Sequence, residues 1–207
     1  MAIKRALTIK NVFEKKYRLF DFTDEWELAF GKPETSGIWF IWGNSGNGKT
    51  SFIIQLIKEL VKFEKVHFCS LEEGTSHTLQ KSFESFEMDE LNSNALLTAS
   101  EPMEDLKTRL RQKKSRRVVV IDSFQYTMMS YRDYLALKQE FPDKLFIFIS
   151  HADGKMPAGR SAKSVMYDAS LKIYVEGYRA FSKGRYIGSR GYYDIWSERA
   201  ISIWGTK

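Results

Sequence analysis

The chain reads as an α/β protein with a mostly parallel central sheet, helices on both faces and a C-terminal β-hairpin or meander. Two observations predict this. From Gly37 onward, short uninterrupted apolar runs alternate with segments of helical periodicity, the pattern of strands buried on both faces and joined by helical crossovers. After Ser170 the helical texture gives way to short aliphatic and aromatic runs separated by glycines, which reads as consecutive strands.

Residues 1–36 form a lead-in that mixes Phe13, Tyr17, Phe20, Phe22, Trp26 and Phe30 with charges and closes on the turn Gly31-Lys32-Pro33. Its aromatics are expected to pack on the main domain, residues 37–207. Ile38–Trp42 is the first expected strand. Lys49–Lys62 follows as a helix, because Ile53, Leu56, Ile57 and Leu60 recur on one face. Val66–Leu71, Ala95–Ala99, Val118–Ile121 and Leu145–Ile149 continue the strand series. Ser100-Glu101-Pro102 starts a helix carrying Met103, Leu106 and Leu110, and Tyr131–Phe141 predicts another. Leu171–Val175, Arg185–Ile187, Tyr193–Trp196 and Ile201–Trp204 are the expected closing strands.

Composition bounds the function classes. With 207 residues and 43% hydrophobic content the chain can bury one ordinary core, which excludes wholesale disorder. It carries 32 Lys and Arg against 26 Asp and Glu, a net charge of +6 compatible with polyanion binding. No uncharged apolar run reaches the roughly 18 residues of a membrane span, and Met1–Lys10 lacks the apolar centre of a secretory signal, so a cytoplasmic protein is expected. Cys69 is the single cysteine, which excludes an internal disulfide and a cysteine-based zinc site; His67, His77 and His151 lack ligand spacing.

The chemistry concentrates at Gly43-Asn44-Ser45-Gly46-Asn47-Gly48-Lys49-Thr50, which fits G-x-x-x-x-G-K-[ST] between an expected strand and an expected helix, with Ser51 next on that helix. Glycines there let successive amide hydrogens face phosphate oxygens, and the helix N-terminus adds positive character. ATP is the expected ligand, with Lys49 on the β and γ phosphates and Thr50 on Mg²⁺. Val118–Ile121 ends in Asp122, a carboxylate at the sheet edge where open α/β proteins bind ligands, and Asp122 is assigned to the Mg²⁺ shell. Glu72 and Glu73 end the second strand on the same edge, and one of them is expected to polarise the attacking water.

These residues together resemble the RecA-like P-loop ATPases, the group of RecA and RadA recombinases and DnaB-type helicase cores. Phe68–Glu73 is similar to the helicase segment whose glutamate is the hydrolytic base, which implies Glu72 for that role, with Glu73 as runner-up. Val120-Ile121-Asp122-Ser123-Phe124-Gln125 is similar to the Walker B of RecA and RadA. His151 falls where the family keeps a polar γ-phosphate sensor. Gly154–Lys163, with Lys155, Arg160 and Lys163 and no intervening acid, resembles the second DNA-binding loop, a mobile glycine-rich segment. Lys183-Gly184-Arg185-Tyr186-Ile187-Gly188 resembles the segment placed near a neighbouring subunit's nucleotide, which implies a finger acting in trans, Arg185 first, with Lys183 and Arg190 as alternatives.

The resemblance covers Gly37 to roughly Lys207 and implies a minimal core of the phage or mobile-element kind, a ring- or filament-forming homo-oligomer. Its expected activity is Mg²⁺-dependent ATP hydrolysis coupled to single-stranded DNA in recombination, annealing or replication. The rival readings are a regulatory or assembly ATPase acting on a protein, and a small-molecule kinase. The basic run Arg111–Arg117 reads as a solvated helix end on the edge opposite the nucleotide.

Overall fold

The structure is a computed structural model and describes residues 6–205. At its centre stands β1 (Gly37–Gly43), every residue of which except Gly37 is buried. It pairs in parallel with β5 (Leu145–Asp153) on one side and β7 (Leu171–Glu176) on the other. Beyond β5 lie β4 (Val118–Asp122), β2 (Val66–Ser70) and the edge strand β3 (Ala95–Ala99), all parallel. Beyond β7, β8 (Arg179–Ser182) and β9 (Tyr192–Asp194) turn back antiparallel, and β6 (Met156–Pro157) pairs with the end of β5. The uninterrupted apolar runs are these inner strands. β3 departs from that pattern, with Leu96 and Leu97 partly exposed, because among the described residues no strand pairs with its outer edge.

Two apolar layers cover the sheet. On one face α3 (Lys49–Leu60) sends Phe52, Ile53, Leu56 and Ile57 against Trp39, Ile41 and Val120. On the other, α5 (Met103–Leu110), α6 (Tyr131–Glu140) and α7 (Arg160–Asp168) cover Phe40, Val119, Phe146 and Phe148. None of the helices among the described residues is long and apolar enough to cross a membrane.

The lead-in divides in two. α2 (Asp24–Phe30) and the segment before it place Phe20, Phe22 and Phe30 in the first apolar layer, and Trp26 stacks on Tyr193 with ring centroids 4.3 Å apart. Phe20 N–H donates to the Pro33 carbonyl at 2.8 Å and Thr35 N–H to the Arg18 carbonyl at 3.0 Å, pinning this stretch to the chain entering β1. Phe13 and Tyr17 do not pack as expected. They stand 86% and 48% exposed, since α1 (Ile9–Phe13) is too short to lay its apolar stripe on the core and buries none of its residues.

Three further expectations are corrected. Ile201–Trp204 is the second half of a helix, α8 (Ser197–Trp204), whose Trp204 ring meets Phe181 edge-on at 5.1 Å; packing on the hairpin overrides the strand propensity of its residues. Arg185–Ile187 is a loop, and the strand beside β7 is Arg179–Ser182 instead. The stretch 154–163 is not a mobile glycine-rich loop. Gly154-Lys155 is the turn of the β5–β6 hairpin, and α7 begins at Arg160 and so already holds Arg160 and Lys163.

β1 and β7 approach so closely at Gly43 that a Cβ there would lie 2.2 Å from the Val175 carbonyl oxygen. Gly43→Ala must therefore spread two central strands. The expected cost is about 1–3 kcal/mol, read as a lower urea midpoint; an unshifted midpoint would contradict the tight pairing.

Candidate functional site

The parallel strands all end on one edge, and the side chains that follow them meet there. In register, Gly43 lies beside His151 and Asp122 beside both Ser70 and Ile149. A cavity of about 510 Å³ opens over these ends, lined among others by Ser45, Lys49, Thr50, Glu72, Asp122 and His151.

The loop between β1 and α3 is held before any ligand arrives. Gly48, with φ +93°, turns the chain into α3 in a conformation that side chains resist. The Asn47 amide donates to the Asn44 and Ser45 carbonyls at 3.3 and 3.1 Å, while its Oδ1 accepts from Gly177 N–H at 2.8 Å and its carbonyl from Tyr178 N–H at 3.2 Å. Lys49 Nζ folds back to the Asn44 carbonyl at 3.0 Å. Burial lowers the Lys49 pKa, and the Asp122 and Glu72 charges oppose that shift. Asn44 and Ser51 complete the line of loop and helix residues read from the sequence.

Asp122 sits in a shell of like charge. Burial pushes its carboxyl up to about 7, and Glu72 and Glu73 add to the rise while Lys49 and His151 resist it. Such a carboxylate lacks cationic charge. Together with the Thr50 hydroxyl in the same cavity it offers the hard oxygen donors that Mg²⁺ takes, so the residues present fit that ion.

The two glutamates separate by their partners. Glu72 Oε2 lies 2.8 Å from His151 Nε2. Glu73 Oε2 accepts from the hydroxyls of Ser76 and Thr78 at 3.2 and 3.3 Å, at the start of α4 (His77–Ser85), where Ser76 is the N-cap. The Asp122 carbonyl accepts from Leu71 and Glu72 N–H at 2.6 and 3.1 Å, which fixes the backbone of Glu72 to the end of β4. Gln125 then links three segments: its Nε2 donates to Ser150 Oγ at 2.8 Å and the Ala158 carbonyl at 3.0 Å, and its Oε1 accepts from His151 N–H at 3.4 Å.

Sequence reading missed the far side of the cavity. Tyr178, in the β7–β8 turn, lines it and also a neighbouring hollow of about 550 Å³ with Ser51, Ile195 and Trp196. Two aromatic rings beside a glycine turn were the available signal.

The basic candidates lie apart from one another. Lys155 stands exposed on a turn braced against the phosphate loop, its carbonyl accepting from Trp42 Nε1 at 3.1 Å and that of Gly154 from the Asn44 amide at 3.3 Å. Lys155, Lys172 and Lys183 rim a groove of about 510 Å³ with Trp42, Tyr167 and Tyr174. Arg185 N–H donates to the Ser170 carbonyl at the opposite, amino edge of β7, so Arg185 does not reach this chain's own cavity. Arg190 is engaged internally by the Tyr192 carbonyl and Glu25. The run Arg111–Arg117 also lies on the amino edge, where Arg111 pairs with Glu140 and Arg117 with Glu64.

No family model and no curated protein matches the chain. Solved structures do. The flagellar accessory protein FlaH from Methanocaldococcus jannaschii superposes with a TM-score of 0.60 at 16% identity, over 86% of this chain and 92% of that one. A KaiC-like protein from Pyrococcus horikoshii OT3 gives 0.61 at 19% identity, over 86% and 98%. At such identities the likeness establishes the fold, and the chain has the RecA-like P-loop fold that its sequence resembles.

Proposed function

We propose that the protein binds ATP with Mg²⁺, hydrolyses it, and couples hydrolysis to single-stranded DNA as a homo-oligomer. The observation that carries the ATPase reading is the meeting of Lys49, Thr50, Asp122 and the Glu72–His151 pair over one edge of the sheet. The loop amides and Lys49 hold the triphosphate, and Tyr178 and Trp196 offer rings to the base. Thr50 and Asp122 would hold Mg²⁺, which would supply neutralisation of charge on the phosphates. Glu72 takes the proton of the attacking water, and His151 orients Glu72 until the γ phosphate competes for its imidazole.

Among the described residues lining the cavity Lys49 is the one Lys or Arg, so charge building on the γ phosphate lacks a second fixed cation. Arg185, exposed on the opposite edge, supplies that charge to a neighbouring copy, which makes assembly a condition of fast turnover.

The DNA reading is supported by the groove that Lys155, Lys172 and Lys183 share with several aromatic rings and one acid, Glu176, a surface whose net positive charge and rings suit a sugar-phosphate chain and stacked bases. Gln125 ties His151 to Ala158, between Lys155 and Arg160, and so gives nucleotide state a route to the basic segment. The test is ATP hydrolysis with and without single-stranded DNA across a salt series, beside Lys155→Ala. DNA should raise the rate, and the variant should lower the slope of log affinity against log salt by about 0.7, the loss of one phosphate contact. A rate indifferent to DNA would transfer the assignment to an ATPase acting on a protein. That second reading is favoured by α1, whose Ile9 and Phe13 are exposed among the described residues, and by the likeness to a flagellar accessory protein.

A further inference from the structure

Away from the nucleotide cavity, strand alternation puts His67 and Cys69 on one face of β2, and the parallel partner β3 sets Thr98 directly beside Cys69. The chain then bends at Ser100 and returns Glu101 over the same two side chains, with Leu106 and Leu110 of α5 in the apolar layer that holds Cys69. The ligand atoms of His67, Cys69 and Glu101 all lie within 4.8 Å of one another. His67 Nε2 is 3.9 Å from Glu101 Oε2 and 3.0 Å from Thr98 Oγ1.

Glu101 is the telling member. Its side chain is 8% exposed, and Oε1 is satisfied by Arg109 Nε and Nη2 at 2.9 and 2.7 Å. Oε2, which faces His67, is buried and has no hydrogen-bond partner. A buried carboxylate oxygen left bare is costly, and a cation between it, an imidazole and a sulfur relieves the cost.

We propose that His67, Cys69 and Glu101 form a site for a divalent cation of the zinc class, with the Thr98 hydroxyl or a water as fourth ligand. A nitrogen, a sulfur and an oxygen donor suit Zn²⁺ and are the wrong set for Mg²⁺, so this site is chemically distinct from the nucleotide's metal. The thiolate supplies one full negative charge, the Glu101 carboxylate shares its charge between Arg109 and the metal, and the Cys69 proton leaves to solvent as the metal–sulfur bond forms. Tetrahedral zinc holds such atoms roughly 3.3–3.8 Å apart, so separations of up to 4.8 Å must close by up to about 1.5 Å. A cavity of about 310 Å³, lined by Leu71, Ser100, Glu101, Met103, Tyr126 and Thr127, opens beside Glu101 as the path of entry. A single cysteine and unspaced histidines exclude a metal site along the sequence; parallel pairing of β2 with β3 assembles a mixed one in space.

The test titrates Co²⁺ alone into the chelator-stripped full chain. Because Cys69 is the only cysteine, a thiolate-to-cobalt charge-transfer band reports this site, and Asp122, Glu72 and His151 cannot produce it. The expected result is a band that saturates at equimolar metal, is displaced by Zn²⁺, disappears in Cys69→Ser and needs at least tenfold more metal in Glu101→Gln. Metal uptake with no such band, or no uptake, overturns the proposal. Should Cys69→Ser fail to fold, the Glu101→Gln titration decides alone, an unchanged affinity counting against the site.

Discussion

Glu72→Gln is expected to leave nucleotide binding intact and to cut hydrolysis by about 10²–10⁴-fold, the usual contribution of a positioned general base. At 1.36 kcal/mol per tenfold that is roughly 3–5 kcal/mol of barrier. The substitution keeps shape and a hydrogen-bonding group facing His151, found at 2.8 Å, while removing the capacity to accept a proton and the charge felt by Asp122 and Lys49. Glu73→Gln is the matched control. Its carboxylate is already held by Ser76 and Thr78 at the start of α4, so its loss should change turnover by less than about tenfold. Single-turnover rates with a nucleotide-binding assay separate the outcomes. Full activity in Glu72→Gln with collapse in Glu73→Gln would move the base one residue along the chain.

Asp122→Asn is expected to abolish Mg²⁺-dependent activity while making the ligand-free protein more stable above neutrality. The folded carboxyl titrates near 7, above the usual value of about 4, because burial and the charges of Glu72 and Glu73 penalise its ionised form. The folded state then binds the proton more tightly than the unfolded one. Stability is accordingly lost as pH rises from about 4 through 7, and the deficit is complete above that window. An amide does not ionise and escapes it. The shift corresponds to at most about 4 kcal/mol, and water at the partly exposed side chain brings the expected gain at pH 8 to roughly 1–3 kcal/mol. Thermal melts without nucleotide should show the variant higher at pH 8 and level with the parent at pH 4. A variant that melts lower at pH 8 would refute the electrostatic account. Stability surrendered by a buried carboxylate is a trade that binding sites commonly make.

How much of this was legible depended on how local each signal is. β1, the phosphate loop and α3 were readable because a buried strand, a glycine pattern and a helical stripe lie within one short stretch of chain. Asp122, Glu72 and His151 were each readable as a polar residue ending an apolar run. Their common edge was readable from the parallel sheet; the direct contact of Glu72 with His151 was not, because it depends on the strand order β2-β4-β5, which no local pattern carries. Ile201–Trp204 misled for the converse reason. Its residues favour a strand in isolation, and only the contact of Trp204 with Phe181 and Gly177 makes them helical. Phe13 and Phe20 are the same residue type a few positions apart, and only Phe20 has a core within reach.

Asn47 joins the phosphate loop to the β7–β8 turn through Gly177 and Tyr178, and Trp204 of α8 donates to the Gly177 carbonyl at 3.2 Å. The loop's conformational freedom is thereby restrained at folding, and on the proposed reading triphosphate affinity would draw on the rigidity of a hairpin near the sheet's outer edge. On the proposed reading, a partner that rigidifies the hairpin and α8 is expected to tighten nucleotide binding, and linkage then has bound nucleotide tighten the hold on that partner by the same factor.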